Sequence, residues 1–212
     1  MPVRTDTGER RRPAISWGPE DAILASVLVL VTPDRDRSPG SGGHGPGDSV
    51  EEPGAGRDAR GDEALAEVIL IERAAHGRHP GEISFPGGRA EPGEDAEATA
   101  LREAAEEVGL DPLAADVSVI GELETFWIPV SGYRVRPVLA VAGRCPVLTP
   151  SPDEVASIIR APLAAFLRDA AIQIVETTIR DIPIRYGAYP VGDHLVWGAT
   201  ARILGQLGAL LD

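Results

Sequence analysis

The stretch GGRAEPGEDAEATALREAAEEVGL, residues 87–110, constrains the fold of this chain most, because it predicts one helix with a defined end. Gly109 stands where a left-handed glycine commonly follows the last helical residue. We therefore predict a helix over residues 94–108. Its apolar side chains recur at spacings of three and four, which is typical of one face of an amphipathic helix, and they are Ala98, Leu101, Ala105 and Val108.

Three glutamates, Glu103, Glu106 and Glu107, are expected on one side of this helix, because they are three and four residues apart. Each like-charged pair costs about a few tenths of a kcal/mol, and the helix macrodipole disfavours negative charge near its C-terminus. One interpretation is a solvated acidic face that Arg102 screens in part. The other is a bound divalent cation such as Mg²⁺, which takes oxygen ligands and bridges carboxylates to substrate phosphates. The spacing alone leaves both interpretations open.

Alternating apolar and turn residues predict strands through most of the remaining chain. The order of strands and helices predicts a mixed α/β domain over residues 21–212, and not a doubly wound one. The predicted strands cover residues 22–32, 66–72, 82–85, 117–128, 133–142, 155–160, 172–178 and 181–186, and the other predicted helices cover residues 162–168 and 195–211.

Two segments are predicted to lack fixed structure. Residues 1–20 are polar and rich in arginine, so we expect a flexible N-terminal segment. Residues 34–63 are rich in glycine and proline, and Val50 is their only large apolar residue. Such a segment cannot offset its ordering entropy by burial. This favours a disordered insertion over the alternative, a linker between two domains.

Composition excludes several classes of function. All 20 basic residues are arginines, so no lysine is available for a P-loop, a Schiff base or a general base. A formal net charge of −13 disfavours nucleic-acid binding, because the phosphates would be repelled. Cys145 is the only cysteine, which rules out an intramolecular disulfide and suits a reducing cytoplasm. The longest apolar run, residues 22–31, is about half as long as a membrane span.

Counted from Gly88, the chain has a glycine, five residues, Glu94, seven residues and then the run REAAEEVGL from Arg102 to Leu110. This pattern resembles the signature of the Nudix hydrolases, G-x5-E-x7-R-E-U-x-E-E-x-G-U, in which U is a bulky aliphatic residue. Every fixed position is present, and the one departure is Ala104, which predicts a tightly packed neighbour. The resemblance implies the Nudix fold, an α/β fold with a mixed sheet sandwiched by helices. It also implies hydrolysis of a diphosphate linked to another moiety, with Mg²⁺ or Mn²⁺ as cofactor.

For the site, the resemblance implies that Glu103 and Glu107 are direct metal ligands. Glu106 is implied as a further ligand or as the base that takes a proton from the attacking water. A second candidate for that base is Glu154 in a later loop. The carbonyl of Gly88 is implied as one more metal ligand.

The residues around this set are expected to shape and support it. Gly87 and Gly88 would let the backbone turn sharply and approach the metal site closely. The resemblance implies that Glu94 and Arg102 brace this loop against the helix, with the guanidinium able to pair bidentately.

The resemblance extends beyond this signature to the coenzyme A pyrophosphatase branch of the family. The branch has a longer motif that precedes the signature and ends in Phe-Pro-Gly-Gly. This chain departs from the usual Leu-Arg-x-His of that motif, because it has HGRH at residues 76–79. The similar segments are IER at residues 71–73, HPGEISFPGG at 79–88, GYRVRPV at 132–138, DEV at 153–155 and VWGATA at 196–201.

This branch implies cleavage of coenzyme A or an acyl-coenzyme A into 3′,5′-ADP and 4′-phosphopantetheine or its acyl derivative. The alternatives are a Nudix hydrolase of ADP-ribose, nucleotide sugars or damaged nucleotides and, from another class, a non-catalytic nucleotide-sensing module. We expect a cytoplasmic monomer or homodimer with a small-molecule substrate and without nucleic-acid or membrane partners. The candidates for binding the substrate are Arg73, Arg78, His79, Arg89 and Gly87.

The aromatic residues make up only 4% of the chain and are expected mainly in the core. Phe85 and Trp127 are also open to stacking against a base. The residues expected in the core are Trp127, Tyr133, Phe166 and Trp197.

Overall fold

The computed structural model describes residues 3–4, 19–35, 66–75, 81–167, 169–179 and 182–211. Most of the predicted N-terminal segment and of the predicted 34–63 insertion lies outside these ranges. In chain order the elements are β1 (Val3–Arg4), β2 (Ile23–Pro33), β3 (Ala66–Arg73), β4 (Ile83–Ser84), β5 (Gly87–Arg89), α1 (Ala96–Val108), β6 (Val117–Glu122), β7 (Phe126–Ile128), β8 (Tyr133–Ala142), β9 (Val155–Pro162), a 3-10 helix (Leu163–Phe166), β10 (Gln173–Ile179), β11 (Ile182–Val191), β12 (His194–Val196) and α2 (Gly198–Leu211).

A mixed sheet forms the centre of the molecule, with the strand order β4-β3-β2-β8-β6. The strands β2 and β8 pair in parallel from Ile23 opposite Tyr133 to Val31 opposite Val141, whereas the other pairs are antiparallel. Shorter strands extend it, because β5 pairs with β2, β7 with β8 and β9 with β3. The strand β2 is buried on both faces, which explains why its sequence is a nearly continuous apolar run.

Helices cover both faces of this sheet. On one face α1 packs against alternate residues of the central strands, and on the other face α2 and the 3-10 helix pack against the intervening residues. The structure confirms the predicted α/β architecture, a mixed sheet sandwiched by helices. The helical residues of the first core are Ala96, Ala100, Ala104 and Val108, and those of the second are Leu163, Phe166, Ile203, Leu204 and Leu207.

A second, smaller sheet has the strand order β1-β11-β10, and β12 also pairs with β11. The strands predicted over residues 172–178 and 181–186 correspond to β10 and β11, which pair antiparallel from Gln173 opposite Ala188 to Ile179 opposite Ile182. Val3 and Arg4, within the predicted flexible segment, pair with β11.

The helix α1 begins later than predicted and buries only part of the predicted face, since Val108 is buried and Leu101 packs against the core. It starts at Ala96, because the Asp95 side chain caps it by accepting a hydrogen bond from the Ala98 amide at 2.8 Å. Ala98 and Ala105, predicted on the buried face, are exposed. The small residues that let the helix lie close to the sheet are Ala96, Ala100 and Ala104.

Two predictions for the C-terminal third were wrong in detail. The helix predicted over 195–211 starts at Gly198, because Leu195 and Val196 pair with β11 as part of β12. Leu210, near the end of this helix, is exposed. The helix predicted over 162–168 is a four-residue 3-10 helix. Among the described residues, none of the helices combines the length and hydrophobicity needed to cross a bilayer.

The packing of α1 gives a prediction with an internal control. Ala104 is fully buried against the sheet, so Ala104→Leu should force the helix away and lower the free energy of unfolding by about 1–3 kcal/mol. Ala105→Leu adds the same side chain at the next, exposed position and should leave stability nearly unchanged. Urea unfolding of both variants measures the difference, and equal losses would contradict the observed orientation of α1.

Candidate functional site

The two glycines of β5 bring the backbone directly against α1. Gly87 has φ 153°, and a side chain there would collide with the backbone of Ser26 and Val27 in β2. A Cβ atom on Gly88 would lie 2.5 Å from the carboxyl carbon of Glu103. Gly87 and Gly88, which follow the bend at Pro86, are called the glycine turn. Because any side chain would occupy this space, only glycines allow the close approach of the glycine turn to the carboxylate.

Glu107 is the most deeply buried charged residue described in the site, with 2% of its side chain exposed. The backbone N–H of Gly87 donates to its Oε2 at 2.8 Å, and Arg73 Nη1 lies 3.9 Å from its Oε1. Burial raises the pKa of this carboxyl to about 7; the nearby charges of Glu103 and Glu154 raise it too, while the Gly87 N–H and Arg73 lower it. The hydrogen bond from Gly87 and the charge of Arg73 therefore do not fully compensate for burying the negative charge of Glu107.

Glu103 faces the same turn one helical turn earlier. Burial raises its pKa; Arg102 acts in the opposite direction, and the charges of Glu106 and Glu154 add to the increase. The Glu103 carboxylate lies beside Gly88, and the Glu107 carboxylate accepts a hydrogen bond from the Gly87 N–H. The structure thus brings both carboxylates to the same pair of glycines, and the charge of Glu154 raises the pKa of both.

Glu106 lies differently from the other two glutamates. Its side chain is 58% exposed, and its Oε2 accepts a hydrogen bond from Arg102 Nη1 at 2.9 Å. Successive helical residues are about 100° apart around the axis, so the side chains of Glu106 and Glu107 point in different directions. The Glu106 carboxylate still lies near that of Glu103, because the same Arg102 Nη1 contacts both, at 2.9 and 3.0 Å.

Arg102 connects the loop before α1 to the helix itself. Its guanidinium pairs bidentately with Glu94, with Nε at 2.8 Å from Oε1 and Nη2 at 3.1 Å from Oε2. Its Nη1 also lies 3.0 Å from Glu103 Oε1, and its Nη2 donates to the Arg89 carbonyl at 3.1 Å. These hydrogen bonds fix the orientation of Glu103 and the end of β5 at the same time.

Glu154 enters the site through a loop that wraps the end of α1. The amides of Thr149 and Ser151 donate to the last carbonyls of the helix, those of Val108 and Glu107, at 2.9 and 2.8 Å. The loop is also tied to the end of β3, because the Ala74 amide donates to the Glu154 carbonyl at 2.9 Å. Satisfying the helix end with this loop explains why a residue so distant in sequence adds its charge to the carboxylate pair.

A cleft of about 730 Å³ opens beside the glycine turn, large enough for a small-molecule ligand. Three of the five predicted substrate-binding residues, Arg73, Gly87 and Arg89, line it, whereas Arg78 and His79 lie outside the described residues. Sequence reasoning did not assign Glu82, Ser84 or Thr200 to the site, although the segments 79–88 and 196–201 contain them. The cleft wall includes Arg73, Gly87, Gly88, Arg89, Ile128, Tyr133, Val135 and Trp197.

The donor atoms fit a hard divalent cation. Glu103 and Glu107 present carboxylate oxygens to the same two glycines, Glu103 beside the Cα of Gly88 and Glu107 at the Gly87 N–H. In the part of the chain that the structure describes, no three His, Cys, Asp or Glu side chains are gathered as a full metal-binding group. Mg²⁺ commonly takes one or two carboxylates and completes its shell with water and substrate phosphates, so two carboxylates are sufficient to hold it.

Known proteins resemble this chain in both sequence and fold. The family model described as NUDIX domain matches residues 57–165. The chain is 38% identical over 152 residues to "Nudix hydrolase 22, chloroplastic" of Arabidopsis thaliana, an alignment that covers 68% of this chain and 49% of that protein. It is 36% identical over 142 residues to the Nudix hydrolase NudL of Photorhabdus laumondii, covering 66% of this chain and 74% of that protein. The chain thus spans about half the length of the plant relatives it matches.

Among solved structures, the MutT/nudix family protein from Enterococcus faecalis superposes with a TM-score of 0.51. The two sequences are 19% identical, and the match covers 92% of this chain and 64% of the other. At this identity the likeness concerns the fold alone. It agrees with the mixed sheet between helices described above.

The ion pair between Glu94 and Arg102 predicts a pH-dependent stability. The hydrogen bonds from Arg102 lower the pKa of Glu94 from 4.5 to about 2. Because the folded-state pKa is lowered, the pair stabilises the fold fully above pH 4.5 and loses this contribution as the pH falls toward 2. Glu94→Gln should therefore be less stable than the wild type at pH 7, and the difference should shrink as the pH decreases from 4.5 to 3.

Urea unfolding at several pH values measures this difference. Glu91→Gln, which removes an exposed carboxylate from the same loop, is the matched control and should follow the wild type at every pH. A difference between Glu94→Gln and wild type that stays constant across this range would contradict the ion pair as the cause.

Proposed function

Because this chain belongs to the Nudix family of hydrolases, we propose that it hydrolyses the diphosphate of coenzyme A or an acyl-coenzyme A. The products would be 3′,5′-ADP and 4′-phosphopantetheine or its acyl derivative. Water would add to one phosphorus atom as the bridging P–O bond breaks. The observation that carries the proposal is the pair of carboxylates, Glu103 and Glu107, held at a glycine turn beside a cleft lined by arginines.

The proposed cofactor is Mg²⁺ or Mn²⁺, held by Glu103, Glu107 and the carbonyl of Gly88, with Glu106 as an additional ligand candidate. When bound, such an ion neutralises the charge of the diphosphate and makes a coordinated water more acidic. Burial and nearby carboxylates raise the pKa of Glu103 and of Glu107, which disfavours their charged forms. A bound cation would favour the charged forms again.

The base that accepts the proton of the attacking water has two candidates. Glu106 is on the signature helix, but Arg102 already binds its carboxylate and much of its side chain faces solvent. Glu154 is also exposed, but its charge raises the pKa of both Glu103 and Glu107, and its own side chain is not held by Arg102 in the way that of Glu106 is. We therefore keep Glu106 and Glu154 as the two candidates.

Arginines supply the positive charge that an acidic protein needs to bind an anionic substrate. Arg73 and Arg89 line the cleft together with Gly87 and Gly88, and we assign the two arginines to the substrate phosphates. Arg78 and His79 belong to the segment between them and stay candidates for the 3′-phosphate. Arg102 is not available for this task, because its donors are engaged by Glu94, Glu103, Glu106 and the Arg89 carbonyl.

Selectivity for coenzyme A is supported by where the similar segments lie. Residues 79–88 and 196–201 are far apart in sequence, yet Glu82, Ser84 and Trp197 from these segments line one cleft. At residues 76–79 the chain has HGRH in place of the Leu-Arg-x-His that is usual in the coenzyme A branch. This difference favours the alternative, a Nudix hydrolase of ADP-ribose, nucleotide sugars or damaged nucleotides. A non-catalytic sensing module is disfavoured, because every carboxylate of the signature is present. The cytoplasmic location and the monomeric or homodimeric state stay predictions.

Substrate selectivity gives the direct test. With Mg²⁺ or Mn²⁺, the protein should convert coenzyme A to 3′,5′-ADP with a higher kcat/KM than for 3′-dephospho-coenzyme A or ADP-ribose. The expected preference comes from the 3′-phosphate, whose contacts with arginine the other two substrates lack. Product analysis by chromatography measures it, with EDTA as the metal-free control. Equal rates for all three substrates would end the coenzyme A assignment, and turnover in EDTA would end the metal-dependent mechanism.

Glu107→Gln tests the central residue without removing its hydrogen bond. The amide oxygen can still accept from the Gly87 N–H, and the loss of a buried charge should leave the melting temperature in EDTA unchanged or higher. Turnover should fall by orders of magnitude because a metal ligand is lost. Glu97→Gln, on the exposed first turn of the same helix, is the matched control and should keep wild-type turnover. Unchanged turnover in Glu107→Gln would remove this residue from the mechanism.

A further inference from the structure

Trp197 is the large aromatic residue whose position differs most from the sequence prediction. It was expected in the core, but 37% of its surface is exposed and it forms part of the cleft wall. It stands at the corner between β12 and α2, on the same cleft as Gly87 and Gly88. A tryptophan left partly exposed at the wall of a ligand-sized cleft offers a large flat surface to a ligand.

The indole of Trp197 is held in a fixed orientation. The ring of Tyr186 in β11 stacks on it, with the ring centroids 5.2 Å apart and the planes inclined by 29°. The chain immediately after it is also anchored, because the buried hydroxyl of Thr200 in the first turn of α2 donates to the Ile83 carbonyl at 2.9 Å. A preorganised ring loses little conformational entropy when a second flat group stacks on it.

The cleft wall combines charged and apolar side chains. Arg73, Arg89 and Glu82 are its charged residues, and Ile128, Val135 and Trp197 are among its apolar ones. A ligand that carries both an anionic group and a flat or apolar group would match this lining.

We propose that Trp197 is the stacking platform for the nucleobase of the substrate, with Tyr186 as its support. This inference rests on the proposed function, and it names the residue that selects a nucleotide over other diphosphates. Aromatic stacking holds any base because every base has a π-face. The nearly parallel Trp197–Tyr186 pair favours a base over an aliphatic chain, because the flat stack continues in the direction of a planar ring.

Fluorescence can observe this contact without any hydrolysis. The chain has three tryptophans, Trp17, Trp127 and Trp197, so the double variant W17F/W127F leaves Trp197 alone and W17F/W197F leaves Trp127 alone. Trp127 is the matched control: it lies between Phe126 and Ile128, which pack on one core, so its side chain is on the opposite face of β7. The probe is 3′,5′-ADP in the presence of Mg²⁺, and ribose 5-phosphate is the probe that lacks a base.

We expect 3′,5′-ADP to quench the fluorescence of the Trp197 protein and not that of the Trp127 protein, and ribose 5-phosphate to quench neither. Absence of quenching by 3′,5′-ADP, or equal quenching by both probes, would overturn the inference. Trp197→Leu should weaken 3′,5′-ADP binding by about 5- to 150-fold, equivalent to about 1–3 kcal/mol, and Trp197→Phe should restore most of it. Trp127→Leu should bind as the wild type does.

The two proposals fail in different ways. Quenching of Trp197 by 3′,5′-ADP in a protein that leaves coenzyme A intact would contradict the coenzyme A assignment and support the stacking platform. Rapid hydrolysis of coenzyme A with the same KM in Trp197→Leu and wild type would support the enzyme assignment and overturn the platform. Melting temperatures of both leucine variants establish that the fold is kept, and Trp197→Phe tests the contact with a smaller change of volume.

Discussion

Glu107 carries its carboxylate into the junction between α1 and the central sheet, where 2% of the side chain is exposed. Burying a charge is unfavourable unless hydrogen bonds and opposite charges compensate for the lost water. The Gly87 N–H and the more distant Arg73 supply part of that compensation, while Glu103 and Glu154 oppose it. Contacts elsewhere around the cleft hold the buried Glu107 carboxylate in this unfavourable position.

Three sets of contacts hold the carboxylates of Glu103, Glu107 and Glu154 near one another. Arg102 ties the loop at Glu94 to the helix and fixes Glu103. The loop at 149–154 satisfies the last carbonyls of α1 and so delivers Glu154. The alanine face of α1 lets the helix lie close enough to the sheet for β5 to touch it. Each of these contacts is ordinary, but together they hold carboxylates nearer to one another than their charges favour, which is the arrangement that the proposed divalent cation would stabilise.

Sequence alone located the elements better than it oriented them. The apolar run of β2 identifies a buried strand because both of its faces are covered. The register of α1 could not be read from hydrophobicity, because Ala98 and Ala105 have the same side chain as the buried Ala100 and Ala104. The start of α1 was missed by two residues because Glu94 and Asp95 are both acidic, and only the hydrogen bond to Ala98 shows which of them caps the helix.

For the site too, the sequence predicted which residues take part better than it predicted how they are oriented. The spacing of the signature gives the carboxylates and the glycine turn, since these depend on local geometry. The burial of Glu107 and the exposure of Glu106 depend on which face of α1 meets the sheet. The position of Trp197 in the cleft wall depends on contacts between residues far apart in sequence, those of Thr200 with Ile83 and of Trp197 with Tyr186. No local pattern contains that information.

The central claim is that the native fold holds a divalent cation at Glu103 and Glu107. The free energy of unfolding, measured by urea titration at increasing Mn²⁺ concentrations, tests it independently of any substrate. Binding to the folded state should raise this free energy steadily, by about 2.7 kcal/mol at a concentration 100 times the dissociation constant. A free energy of unfolding that is the same in EDTA and in millimolar Mn²⁺ would contradict the account.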